Sequence, residues 1–276
     1  TGNNNSANGN NALASNTTGN NNIANGNNAL YENTTGDGNI ANGSSALGSN
    51  TTGNNNIANG NAALSQNIIG NGNIANGHGA LFFNSMGKSN VATGNAALFN
   101  TSGSGNTALG DSAGFNSAGS KNVYIGSRAG FYETGSNKLY LASDSNKTIM
   151  YGDFSTGQVL FGKQQPTGYV FKGTRTLNIL GGMIADSVHV ALSGDWSDYV
   201  FEDGYNLISL NELEQYVNCN KHLPGIPSKE EVKENGIELG DMSAKLLAKI
   251  EELTLYIIAQ QKQIDELKQQ VRKKIK

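Results

Sequence analysis

The sequence is poor in the residues that most active sites use. Of 276 residues, one is cysteine, three are histidine and three are proline. A lone Cys219 excludes an internal disulfide, and so few thiols and imidazoles leave little material for a metal centre, which wants three or four ligands. Charge is scarce as well: between Thr1 and Ser120 only Glu32, Asp37, Lys88 and Asp111 carry it. So neutral a surface cannot steer charged ligands strongly, and a net charge of -3 argues against a nucleic-acid partner. No run of 18 apolar residues and no leader-like segment is seen, so no membrane insertion by this chain is expected. The chain opens inside a repeat at Thr1, as a processed or trimmed chain would.

What is abundant is glycine, asparagine and alanine, and it is periodic. Gly2, Gly19, Gly36, Gly53, Gly70 and Gly87 lie 17 residues apart, and Gly103, Gly119 and Gly135 continue at 16. In step with them run an Ile/Val column at Ile23, Ile40, Ile57, Ile74 and Val91, and an Ala-Leu pair whose leucines are Leu30, Leu47, Leu64, Leu81 and Leu98. A unit this short is about half a helical hairpin, and Gly and Asn at this density oppose helix. Two strand-sized segments, Asn-Ile-Ala-Asn-Gly and Asn-Ala-Leu, bounded by glycine turns, fit it. Each unit is therefore expected to be one coil of a solenoid.

Coils stacked at about 4.8 Å make a rod of roughly 43 Å, with the Ile/Val and Leu columns as its core. That interior is thin for one chain, so several chains are expected to share the apolar faces. Asn5, Asn22, Asn39, Asn56, Asn73, Asn90, Asn106 and Asn122 are placed to form amide ladders along the axis, or to hold tight turns. The pairs Thr17-Thr18, Thr34-Thr35 and Thr51-Thr52 break at Ile68-Ile69, which favours a turn-stabilising role over an ice-binding ladder.

From 136 to 195 the repeat gives way to apolar runs such as Lys138-Leu139-Tyr140-Leu141, Thr148-Ile149-Met150-Tyr151, Gln158-Val159-Leu160-Phe161 and Leu177-Asn178-Ile179-Leu180, which predict short antiparallel strands. Residues 196–241 read as a small mixed module. A helix is expected over Leu207–Asn218, with Ser209 and Glu212 as a capping box, and a shorter one opens at Ser228 and Glu231 and stops at Gly236. Residues 242–276 carry a heptad with Ile250, Ile257, Ile264 and Val271 at a, and Leu246, Leu253, Gln260 and Leu267 at d. Such a pattern predicts a coiled coil; Ile at a with Leu at d, read alone, favours two strands.

The repeat resembles the head of trimeric autotransporter adhesins of the YadA type, and Gly103-Ser104-Gly105-Asn106-Thr107-Ala108-Leu109-Gly110 is similar to repeats of phage tail-fibre-like and bacterial surface proteins. The segment Gly152–Gly162 (GDFSTGQVLFG) is similar to stretches of tail-fibre-like proteins between roll and C-terminal stem, and the module from Trp196 to Met242 resembles a C-terminal domain of Bacteroidetes surface fibre proteins with a C-terminal coiled coil. The resemblance implies a mainly β fold: a left-handed parallel β-roll, a β connector, a small α+β module and a coiled-coil stem, assembled as a homotrimer. The earlier repeats read Ile-Ala-Asn-Gly where that family reads Ala-Leu-Gly, and their period is longer.

Candidate chemistry is sparse. Cys219 and His222 lie three apart with no further ligand nearby, so a buried thiol beside an exposed or capped imidazole is expected. Asp186, Ser187 and His189 lack the nucleophile elbow that a triad would use. Neither catalysis, nor a cofactor, nor a metal is expected. The function expected is a structural or adhesive fibre at a bacterial surface or on a phage-like or secreted appendage, whose partner is itself, with head-to-tail growth conceivable. Alternatives are a glycan-binding receptor-recognition fibre, using aromatics such as Tyr31, Phe82, Phe83, Phe99 and Phe115, and a tail-spike depolymerase, which the shortage of carboxylates on the roll disfavours.

Overall fold

The computed structural model describes residues 2–162, 174–179, 181–190 and 196–275; the expected strand residue Leu180 and parts of the segment 136–195 lie outside them. The chain divides into two compact units, Thr1–Met183 and Ile184–Lys276.

The first unit is a solenoid whose strands form one sheet in strict sequence order. Each repeat contributes one three-residue strand: β1 (Ser6–Asn8), β2 (Ile23–Asn25), β3 (Ile40–Asn42), β4 (Ile57–Asn59), β5 (Ile74–Asn76), β6 (Val91–Thr93), β7 (Thr107–Leu109) and β8 (Val123–Ile125). Equivalent residues of successive coils pair in parallel, Ile23 with Ile40 and Ala24 with Ala41, and so on to β9 (Lys138–Ala142). The second expected strand of each coil does not form. Asn-Ala-Leu is a turn in which Asn28 and Leu30 both take left-handed backbone angles, φ 55° and 49°, yet it still bonds to the next coil, Leu30 N to Ala46 O at 3.0 Å.

Leu47, Leu64, Leu81 and Leu98 repeat this conformation, and all five leucines are fully buried. The left-handed angle costs about 1–2 kcal/mol per leucine. Burying its side chain returns about 1.5–3 kcal/mol, so the turn holds.

The strands alternate in the other sense from the one expected. Ala24, Ala41, Ala58, Ala75, Ala92 and Ala108 point inward and are at most 1% exposed. The Ile/Val column expected in the core lies on the outer face instead: Ile23 is exposed, and Ile40, Ile57, Ile74 and Val91 are half-buried. With period-2 alternation only one set can face in. The interior is already filled by the leucines, the Ala of each Ala-Leu pair and a column of asparagines, so alanine fits where isoleucine would overpack. Close stacking also requires glycine at the strand ends: a Cβ on Gly43, φ 146°, would lie 2.3 Å from Gly60 O.

One coil breaks the pattern by exchange. At β8 the inward alanine becomes Tyr124, fully buried, and the positions equivalent to the leucines become Gly114 and Gly130. A Cβ on either would lie 2.5 or 2.2 Å from the Tyr124 ring, so side-chain volume moves from two turns to one strand.

The segment after the repeats prolongs the same sheet. β9, β10 (Thr148–Asp153) and β11 (Gln158–Phe161) are antiparallel, as expected, because tight turns join them. β12 (Leu177–Ile179) pairs with β11 in parallel, against expectation. Parallel pairing needs a crossover of a dozen or so residues, and the stretch between Phe161 and Leu177 supplies that length.

In the second unit a 3-10 turn at Ser197–Phe201 precedes α1 (Leu210–Asn220), α2 (Lys229–Asn235) and α3 (Leu239–Ile275). Both capping boxes form: Ser209 and Ser228 each accept from the backbone of Glu212 and Glu231, whose carboxylates return to the cap N–H. These reciprocal bonds begin α1 at Leu210, three residues later than expected. The 37-residue α3 packs against the 3-10 turn, and Val200, Ala248 and Glu251 are buried in this unit.

Candidate interaction surfaces

Three surfaces carry organised side chains. The first is the outer face of the parallel sheet. Its apolar column, Ile23 to Val91, is continued by Val123, and in β7 and β8 a second apolar column appears with Leu109 and Ile125, 52% and 38% exposed. Beside it Asn25, Asn42, Asn59 and Asn76 form an external amide ladder, each Nδ2 donating to the next Oδ1 at 2.8–2.9 Å. This face is neutral, regular and half apolar.

Inside the roll the expected amide ladder is present. The Oδ1 of Asn39 accepts from the backbone N–H of Asn56 at 3.0 Å, while its Nδ2 donates to Gly53 O at 2.7 Å. The same bonds recur from Asn22 to Asn106, all fully buried. A second internal ladder, Asn33, Asn50, Asn67 and Asn84, was not anticipated; each Nδ2 donates to the preceding Oδ1 and to the carbonyl of the glycine three residues on. Its signal is the Asn-x-x-Gly spacing repeated at 17. Each ladder satisfies turn carbonyls that burial would otherwise orphan.

The second surface is a stack of rings. Phe82, Phe99, Phe115 and Phe131 follow one another with centroids 4.9–5.1 Å apart and planes within 12° of parallel. Phe83 and Tyr132 meet its two ends edge-on, and the Arg128 guanidinium lies 4.8 Å from the Phe131 centroid. Each stacked pair adds about 0.5–1.5 kcal/mol beyond area burial. Phe131 completes the stack and is legible in the 16-residue steps from Phe99. Tyr31 belongs to the same column but is separated from Phe82 by Gly48 and Ser65. Both faces of Phe99 and Phe115 are covered by neighbouring rings, so these two offer edges rather than faces.

The third surface is α3. Leu246, Ile250, Leu253, Ile257, Ile264, Leu267 and Val271 are 45–60% exposed, and Gln260 is exposed with them. The module packs on the neighbouring flank: Tyr205 donates to Glu252 at 2.6 Å, Tyr256 donates to Ile208 O at 2.6 Å, and Lys249 pairs with Glu252 at 2.7 Å. Burial first, and then the Glu252 carboxylate, push the Tyr205 hydroxyl well above its usual range.

Reactive candidates are not assembled into a site. Cys219 is exposed on α1, correcting the expected buried thiol, because Leu213, Tyr216 and Val217 form the packed side of that helix. The His222 ring lies edge-on to Tyr216 at 5.8 Å, with Nδ1 3.0 Å from Leu223 O. Asp186, Ser187 and His189 are all exposed, in a stretch without regular structure. Among the described residues no three His, Cys, Asp or Glu side chains could hold a metal ion, and no helix is long and apolar enough to cross a membrane. At the end of the roll Lys138 and Asp153 form an ion pair at 2.5 Å; burial would raise the Asp153 pKa, but hydrogen bonds from Lys138 and Ser155 outweigh it and hold it at about 2.

No protein-family model, curated protein or solved structure matches this chain.

Proposed function

We propose that the chain is a non-enzymatic structural or adhesive fibre protein, working as a homotrimer displayed at a bacterial surface or on a phage-like or secreted appendage. In this reading the outer sheet face is a seam between rolls and α3 is a coiled coil that sets their register. The observation that carries it is the regular, uncharged, half-apolar sheet face on a solenoid whose turns are tied together by amide ladders. Covering roughly 400 Å² of apolar surface per chain there stabilises by about 10 kcal/mol gross. Association costs about 4–15 kcal/mol, so the sheet face alone is marginal and the α3 seam has to contribute. A pre-associated stem also makes slow, non-local β pairing effectively intramolecular.

Light scattering of the full chain tests this. A mass near three times 28.9 kDa, lowered by Ile57→Asp/Ile74→Asp on the outer face or by ending the chain at Gly240, is the expected result. A monomer at high concentration refutes the shared seam, and a dimer means that the Ile/Leu heptad decides the order. A second reading, a glycan-binding receptor-recognition fibre, draws on Phe83 and Tyr132, 51% and 65% exposed, beside neutral amide columns. Glycan-array binding abolished by Phe83→Ala/Tyr132→Ala would favour it. The tail-spike depolymerase reading is set aside, because Glu32, Asp37 and Asp111 are the only carboxylates before Ser120.

A further inference from the structure

The exposed a and d side chains of α3 are not an open stripe along their whole length. Between Leu246 and Gln260 they form the floor of a groove of about 470 Å³, whose opposite wall is Leu210 and Leu213 of α1 with Leu223 and Pro224 of the following loop. Past Gln260 the apolar line continues through Ile264, Leu267 and Val271 in a second concavity, with no wall from the module. Floor and extension together run from Leu246 to Arg272, which at 1.5 Å per residue is roughly 39 Å.

The shape of the occupant follows from these observations. It must be a rod of about that length with an apolar side repeating every 3.5 residues. Among the described residues only α3 itself has such a side. The second half of α3, from Ala259 onward, is exposed on every side, and a lone helix of that length is marginal in water. The area agrees: the seven apolar a and d side chains, about half exposed, offer roughly 700 Å² per chain, slightly less than the about 800 Å² per partner of a specific interface. Leu210 and Leu223, 47% and 41% exposed on the wall, bring the total past it.

We propose that this groove is the seat of α3 from a second copy of the chain, so that the small module clasps its neighbour's helix as well as supporting its own. This deepens the coiled-coil reading and rests on it. The module is then a registration device: α1 and the Leu223-Pro224 corner contact only the first half of the incoming helix, which fixes how far along the seam it can slide.

Amide hydrogen exchange on the full chain tests the seat, with energy transfer between donor- and acceptor-labelled chains mixed and refolded together, the label attached to the exposed Cys219. Leu210→Asp/Leu223→Asp is expected to lower protection over Leu246–Gln260 at least tenfold, with transfer reduced. Leu210→Ser/Leu223→Ser provides a milder pair should the charged one unfold α1. Leu267→Asp is the control on the unwalled half of the seam. If Leu267→Asp strips protection from α3 and both wall pairs leave it intact, the clasp is wrong while the coiled coil survives. If α3 is unprotected in the parent chain, both are wrong. Protection without energy transfer means that the groove is covered from within one chain, which overturns the second-copy seat.

Discussion

Replacing Asn56 by alanine separates a ladder that holds the roll together from one that only decorates it. The Asn56 Nδ2 donates to Gly70 O at 2.8 Å and to Asn39 Oδ1 at 3.1 Å, and its Oδ1 accepts from Asn73 N at 3.0 Å and Asn73 Nδ2 at 3.1 Å. After substitution Gly70 O still accepts from Asn67 at 3.1 Å, and Asn73 Nδ2 still reaches Gly87 O at 2.8 Å. The backbone N–H of Asn73, buried at the centre of the roll, is left with nothing among the described residues. An orphaned buried donor costs about 1–3 kcal/mol, and the lost bond to Gly70 adds about 0.5–1.5 kcal/mol. The expected loss is about 2–4 kcal/mol. Asn59→Ala, three residues on at the end of β4, breaks two bonds of the external ladder at 2.8 Å, but every freed group meets water, so about 0.5 kcal/mol or less is expected. Urea unfolding of the full chain followed by circular dichroism gives the two losses, and exchange at the Asn73 amide reports the local effect. Equal losses for Asn56→Ala and Asn59→Ala would refute the assignment of stability to the buried ladder.

Gly114→Ala and Gly130→Ala are each expected to destabilise by about 1–3 kcal/mol through collision with the Tyr124 ring. In a Tyr124→Ala background the left-handed backbone term of about 1–2 kcal/mol should remain, joined at Gly114 by contact with Leu98 Cδ2, 2.8 Å from the added Cβ, and a double-mutant cycle showing no coupling would mean that the glycines answer to something other than the tyrosine. The Asp153 pKa, about 2 when folded against an ordinary 3.8, makes a stabilising contribution that is complete above about pH 4 and is lost as pH falls through 2. Exchange of the β9–β10 amides should accelerate across that window, and Asp153→Asn should flatten the dependence; an unchanged profile in the variant would assign the acid sensitivity to other carboxylates.

Much of the roll could be read from the 17-residue period alone. Identical residues one period apart can stack only in register, so the parallel pairing, the buried Asn22 to Asn122 column and the buried leucines all follow from the repeat. The capping boxes at Ser209 and Ser228 follow too, because each is complete within four residues of sequence. Periodicity does not say which residues of Ile-Ala-Asn face inward, since two of the three are apolar. That was decided by the width of an interior already occupied by leucine and asparagine, which admits Ala24 and turns Ile23 outward. Nor does a local pattern show that a leucine will accept a left-handed angle, because the burial that offsets it comes from the coils above and below. The exchange of Ala and Leu for Tyr124 and two glycines is a matter of shared volume between residues ten and six apart in sequence. The parallel return of β12, the exposure of Cys219 and the wall that α1 raises beside the apolar stripe of α3 are likewise properties of packing. What repeats along the chain was determined by the sequence itself; what each repeated residue touches was decided only when the coils and helices closed on one another, because volume and burial are set by neighbours distant in sequence.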